Sequence, residues 1–285
     1  MIDRVTIYEV GPRDGLQNET RPIPTDSKIE LIDRLSDCGF SRIEVASFVS
    51  PGRVPQMADG SAVMAGIERR PGIAYSALVP NLRGYGAARA ARCDEVAIFT
   101  SASESFSQRN VNASIAESLE RFAPVAEAAR RDGVPLRGYV SCITDCPFEG
   151  SIAPDAVVAV ARSLLALGCH EISLGDTIGR GTPERIGVML DGVLGVVGPE
   201  RLAGHFHDTG GRAMANIEVA LERGLRVFDA SVGGLGGCPF APGAPGNVAS
   251  EAVAARLAAL GLETGLDLER LRETADFARS FRVAT

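Results

Sequence analysis

Short apolar runs alternate with longer stretches of helical periodicity along the whole chain. The runs fall at roughly 5–10, 42–47, 73–79, 95–101, 135–142, 170–176, 202–208 and 227–233. Each is short, rich in Val, Ile or Phe, and bounded by Gly, Pro, Asp or Ser, which is how a buried strand reads. Between them, apolar residues recur at three- and four-residue spacing, as in Ile29-Leu31-Ile32-Leu35, Ile115-Leu119-Phe122-Val125, Val157-Val158-Val160-Ala161-Leu164 and Met214-Ile217-Val219-Ala220. That spacing places one apolar stripe on a helix. Thr25 or Asp26, Pro154-Asp155 and Thr182-Pro183 supply helix starts. Repeated strand–helix units imply a parallel sheet, because parallel neighbours need a crossover between them. At 285 residues, a closed (β/α)8 barrel (the TIM barrel) accounts for the pattern better than an open doubly wound sheet. The segment from about 266 reads as one extra C-terminal helix. With no linker, low-complexity stretch or charge block, residues 1–285 read as a single domain.

Composition narrows the chemistry. Hydrophobic residues make up 45%, enough for one large core. A net charge of -7 argues against nucleic acid, whose phosphates need a basic surface. No apolar run approaches the ~18 residues of a membrane span. The first strand-like run begins at Val5, leaving no room for a signal or transit peptide. The six cysteines have no repeated short spacing and read as reduced thiols in a cytoplasm. Cys142 and Cys146 read as small buried hydrophobes rather than a zinc pair. Of 29 basic residues only Lys28 is a lysine, and it sits in the first predicted helix. A Schiff-base aldolase and a biotin-type carboxyltransferase both need a lysine at the site, and neither has a candidate residue, which argues against both.

In such a barrel the reacting groups sit at the C-terminal strand ends and in the loops that follow. Arg13, Asp14 and Gln17 follow the first strand, and Glu44 and Ser47 end the second. Asp176 and Thr177 end the sixth, His205 and His207 the seventh. Cys238 and Asn247 lie in the glycine-rich loop after the eighth. Barrel closure brings these distant residues to one mouth. On a strand, residues i and i+2 share a face, so His205 and His207 both point inward and Phe206 points at the helices. Neutral imidazoles with Asp14 and Asn247 make a mixed N/O donor set. It suits Mg²⁺ or Mn²⁺, and Fe²⁺ or Zn²⁺ are also compatible. Arg13, on the turn Gly11-Pro12-Arg13-Asp14-Gly15, can bind a carboxylate bidentately or stabilise an enolate oxygen. Gln17 joins it as a substrate-binding candidate. Glu44 and Asp176, buried carboxylates that need partners, read as partners of Arg13 and of the metal ligands. The run from Gly233 to Asn247 is glycine-rich and reads as a mobile loop that would deliver Cys238 as a proton donor. No G-x-G-x-x-G follows the first strand, and a GxxxxGK[ST] loop is impossible with the single lysine at 28.

These residues resemble a known family. Val10-Gly11-Pro12-Arg13-Asp14-Gly15-Leu16-Gln17-Asn18-Glu19 resembles the opening motif of the 3-hydroxy-3-methylglutaryl-CoA lyases. Ile43-Glu44-Val45-Ala46-Ser47-Phe48-Val49-Ser50-Pro51, Val54-Pro55-Gln56-Met57-Ala58-Asp59 and Glu171-Ile172-Ser173-Leu174-Gly175-Asp176-Thr177-Ile178-Gly179 match further blocks. Ser231 to Glu251 is similar to the family's active-site loop. The resemblance implies cleavage of 3-hydroxy-3-methylglutaryl-CoA, an acyl-CoA, to acetoacetate and acetyl-CoA. It implies Mg²⁺ or Mn²⁺ on residues matching Asp14, His205, His207 and Asn247. It matches Arg13 to the substrate-binding arginine and Cys238 to the active-site cysteine, and it implies a homodimer. The chain departs from the family pattern at Thr20, Arg53, Gly210-Gly211 and Pro245, which leaves room for a related 3-hydroxyglutaryl-CoA. The CoA contacts stay unassigned among Arg21, Arg53 and Arg109. The rival expectations are a condensing enzyme or aldolase on the same barrel, of the 2-isopropylmalate synthase type, and a non-catalytic acyl-CoA-binding barrel.

Overall fold

A computed structural model describes residues 3–19, 21–238 and 241–282, without the side chains of 237, 238 and 241–245. Eight parallel strands close into a barrel. They are β1 (Thr6–Glu9), β2 (Arg42–Ser47), β3 (Ala74–Leu78), β4 (Glu95–Ser101), β5 (Leu136–Ser141), β6 (Glu171–Asp176), β7 (Leu202–Phe206) and β8 (Val227–Ala230). Each pairs with its neighbours in chain order, and β1 closes the ring against β8 through Thr6↔Val227 to Glu9↔Ala230. The expected barrel is therefore the observed one, with strand ends shifted by a residue or a few. The extra C-terminal helix runs Leu268–Arg279.

Local chemistry sets the helix boundaries. Ser114 and Glu117 form a reciprocal capping box at Ile115–Asp132, and Gly133 ends that helix at φ 67. Thr182 caps Pro183–Leu194 by accepting from the Arg185 N–H. The helix Thr25–Asp37 behaves differently. Neither Thr25 nor Asp26 caps it; the chain enters at Pro24, and Thr25 Oγ1 instead donates to Asp59 Oδ2 at 2.8 Å. Lys28 is buried on the same anchor, 2.7 Å from Asp59, and does not line the cavity at the mouth.

Two layers of packing follow from the period-2 rule. Outward residues such as Phe206, Phe228 and Ile172 join the main core under the helices. Inward residues include Tyr8, Arg42, Ser76, Glu95, Arg137, Glu171, Ser173, His205 and Asp229, so the lower half of the barrel interior is polar. Arg137 is the largest completely buried side chain among the described residues. It lies between the rings of Tyr8 (4.2 Å) and Tyr139 (4.8 Å). Its Nε donates to Glu171 at 2.6 Å, and its two terminal nitrogens donate to Asp229 at 3.1 and 2.7 Å. Arg42 bridges Glu171 and Glu95, and Tyr8 donates to Glu95. Each charge in this layer has an opposite charge in contact, the condition under which burying it is tolerable.

Candidate active site

The C-terminal mouth opens into a cavity of 840 Å³, within the range of small-molecule sites. After β1 the chain makes one π-helical turn, Gly11–Gly15, with Pro12 at its start. Three successive N–H groups, of Arg13, Asp14 and Gly15, converge on the carbonyl of Val10 at 3.2, 2.7 and 3.2 Å. This wide turn projects Arg13 and Asp14 into the mouth. Turns of this kind are frequent at functional sites.

Asp14, His205 and His207 offer ligand atoms that all lie within 4.8 Å of one another. The two imidazoles are held differently. His205 and Asp229 are register partners on β7 and β8, and His205 Nδ1 donates to Asp229 Oδ2 at 3.1 Å. Asp229 also accepts from Arg137 and from Ser173 Oγ. That carboxylate selects the Nδ1–H tautomer and turns Nε2 toward the mouth, 3.9 Å from Asp14. His207 Nδ1 is buried with no hydrogen-bond partner. Asn247 donates to Asp14 Oδ2 at 2.9 Å and bridges to His207 along the backbone. A carboxylate, two imidazoles (one with an unsatisfied buried nitrogen) and a neighbouring amide fit a divalent cation by donor chemistry.

The electrostatics agree with that fit. Burial tends to raise the Asp14 carboxyl, but Arg13 and both imidazoles outweigh it and hold it at about 2. Burial and the neighbouring His205 push the His207 imidazole down to about 4, so it is neutral at pH 7. Burial tends to lower His205, and the bond to Asp229 overrides it and raises the ring. Asp229 is held well below the usual carboxylate range; burial opposes this, and Arg137 and His205 win.

Arg13 is buried between two carboxylates. Its Nε donates to Glu44 Oε2 at 2.6 Å and its Nη1 donates to Asp14 Oδ1 at 2.6 Å. Its guanidinium lies 5.5 Å from the Tyr139 ring. Gln17 donates to Asp14 at 3.3 Å and lines the cavity. Glu44 partners Arg13 as its sequence position suggests. Asp176 departs from that expectation. It makes no contact with Arg13 and accepts instead from Thr144 Oγ1 (3.2 Å) and the Gly181 N–H (2.9 Å), which orders the loop after β6. Burial pushes its carboxyl up. Thr177 lines the cavity and accepts from the Cys142 N–H.

The loop read as mobile has a short paired backbone, Gly237–Cys238 against Ala241–Pro245. The Cys238 and Pro245 side chains and Thr20 lie outside the described residues. The five described cysteines are free and buried. Of the three arginines left unassigned, Arg53 lines the cavity and Arg109 stacks on Phe148.

Sequence reading missed Asp229, Arg137 and Tyr139. The signal was present as alternation: Arg137-x-Tyr139 on β5 and Glu171-x-Ser173 on β6 place polar residues on one face of a buried strand, and Asp229 on β8 continues that face.

With this geometry in view, the comparisons are specific. The HMGL-like family model matches residues 4–278. A Pseudomonas aeruginosa protein named 3-hydroxy-3-isohexenylglutaryl-CoA/hydroxy-methylglutaryl-CoA lyase is 56% identical, over 94% of this chain and 89% of its own. The crystal structure of the HMG-CoA lyase from Brucella melitensis superposes with a TM-score of 0.98 at 60% identity, covering 98% of this chain and 99% of that one. An HMG-CoA lyase from Acinetobacter baumannii, in complex with coenzyme A and 3-methylmalate, gives 0.93 at 40% identity, over 98% and 91%.

Proposed function

This chain belongs to the HMGL-like family, and we propose that it is the lyase that splits 3-hydroxy-3-methylglutaryl-CoA into acetoacetate and acetyl-CoA. The observation that carries the reading is the Asp14–His205–His207 cluster beside Arg13, on the floor of a cavity large enough for an acyl-CoA headpiece. Asp14, His205, His207 and Asn247 hold one Mg²⁺ or Mn²⁺. A cation there supplies Lewis acidity toward the substrate's C3 hydroxyl.

The chain's own residues do the rest. Arg13 and Gln17 receive the substrate's oxygens. Glu44 and Asp14 lock the guanidinium in one orientation, so its charge is preorganised where the enolate oxygen develops. As a base of the cluster, a histidine or carboxylate, takes the C3 hydroxyl proton, the C2–C3 bond breaks and its electron pair passes to C2 and the thioester oxygen. Cys238 returns a proton to C2, completing acetyl-CoA. Asp176 contributes by ordering the loop after β6. We read the protein as a single-domain homodimer of the cytoplasm, a compartment that suits its free thiols. It takes an acyl-CoA and neither nucleic acid nor membrane as partner, in keeping with a net charge of -7 and no described helix long and apolar enough to span a bilayer.

The test is acetoacetate release from 3-hydroxy-3-methylglutaryl-CoA by chelator-stripped protein, before and after Mg²⁺ or Mn²⁺ is restored. Release only with metal supports the reading. Condensation of acetyl-CoA with a 2-oxo acid would move it to the synthase class, and acyl-CoA binding without turnover would make it a binding protein. A second substrate is favoured by one further observation. Leu78, Ala97 and Tyr139, with Phe99 against them, form an apolar cluster separate from the main core, and all but Ala97 line the cavity. This wall suits a longer apolar branch at C3, as in the name of the Pseudomonas relative. A kcat/KM for a long-branched substrate far below that of the methyl substrate would remove this extension.

A further inference from the structure

Glu9 ends β1 beneath the site, is completely buried, and has no arginine or lysine paired with it among the described residues. Its three partners are neutral donors from three separate segments. The Gly11 N–H (2.8 Å) begins the turn that carries Arg13 and Asp14, and it shares Oε1 with the Val232 N–H (2.9 Å). Val232 is the incoming stem of the loop that bears Asn247. Ser250 Oγ donates to Oε2 at 2.6 Å, and Ser250 opens the helix on the outgoing stem. One carboxylate therefore joins the Asp14 turn to both ends of the Asn247 segment. Above it, Asn247 and Asp14 meet at 2.9 Å. The packing is close: a Cβ added at Gly11 would lie 2.6 Å from Glu9 Oε1. Burial raises this carboxyl to about 7, and the three donors only partly offset it. A buried carboxyl with no counter-ion is a costly way to brace a turn, unless the placement of that turn matters to the site.

We propose that Glu9 is a positioning residue that sets the separation of Asp14 from Asn247, and through it the affinity of the site for its divalent cation. The proposal rests on the metal reading above. Its test is Mn²⁺ calorimetry on the metal-stripped full chain. Glu9→Ala is expected to weaken the Kd at least about tenfold, as supporting-residue changes at metal sites do. Glu9→Gln keeps an oxygen for both N–H groups and is expected to stay within about threefold of wild type. In the metal-free protein, the Gly11 and Val232 amides should exchange faster in Glu9→Ala than in wild type, and not in Glu9→Gln. A folded Glu9→Ala with the wild-type Kd overturns the proposal. Should that variant fail to fold, Gly11→Ala and Ser250→Ala decide it: a weakened Kd supports the tie, and wild-type affinity in both overturns it. A wild-type protein that takes up no Mn²⁺ would instead defeat the metal reading, leaving the tie to be judged by amide exchange alone.

Discussion

The lower and upper halves of the barrel interior hold similar residues in opposite states of satisfaction. Below, Arg42, Glu95, Arg137, Glu171, Asp229 and Tyr8 form a closed network in which each charge touches its opposite. Above, Glu44 Oε1, Ser47 Oγ, Tyr139 Oη and His207 Nδ1 are buried with no partner. An unsatisfied buried polar atom costs about 1–3 kcal/mol, and three of these residues, Ser47, Tyr139 and His207, line the one cavity, where a substrate or cation would satisfy them. The lesson is that polarity inside a barrel does not by itself mark a site; unpartnered polar atoms gathered on one cavity do, whereas Arg69 Nη1, Asn216 Oδ1 and Ser231 Oγ are unpartnered away from it. His205 joins the halves, bonded to Asp229 below and facing Asp14 above.

Substitutions in each half put this contrast to the test. The largest effect belongs to the lower half. Arg137→Met strands Asp229 and Glu171 without their shared cation and should cost roughly 3–5 kcal/mol of stability. Denaturant unfolding checks it, and a loss under 1 kcal/mol would mean the network is not the brace described. Arg13→Met should mark the upper half by function: turnover falls at least about a hundredfold with the fold retained by circular dichroism. Near-normal turnover removes Arg13 from the chemistry.

Acid should expose the same division in the metal-free protein. Asp14 is held at about 2, below its ordinary 3.8, so its ion-pair contribution is complete above pH 4 and is lost as pH falls toward 2. The depressed carboxyl is worth about 2 kcal/mol. Asp14→Asn should flatten the fall in melting temperature over that window, and an unchanged slope would contradict it. Across the junction, Asp229→Asn should weaken Mn²⁺ binding by about 10–100-fold, because His205 loses the acceptor that fixes its tautomer. Wild-type affinity in a calorimetric titration would show the relay is not needed. The smallest effect is expected at Tyr139→Phe, which deletes a hydroxyl that bonds nothing in the ligand-free protein. Stability should change little while kcat/KM falls about tenfold; a large stability loss with intact catalysis would reverse the reading of the upper half.

Much of this protein was determined by its sequence alone. The alternation of apolar runs and helical stripes sets the strands and the closed barrel, because side-chain periodicity is a local property of each segment. The motif residues Arg13, Asp14, His205, His207 and Asn247 are legible too, since they sit at strand ends that the barrel rule brings together. Which side chains pair with which became visible only once the barrel was closed. Glu44 reaches Arg13, whereas Asp176 turns to Thr144 and Gly181, and nothing in either local sequence separates the two. Asp229 becomes the anchor of His205 because β7 and β8 pair in a register that sets them side by side. Glu9 becomes a tie because two distant donors, the Val232 N–H and the Ser250 hydroxyl, converge on it beside the neighbouring Gly11 N–H. A hydrogen bond depends on separations set to within tenths of an ångström between atoms far apart in the chain, and only the closed barrel, with its register, supplies them.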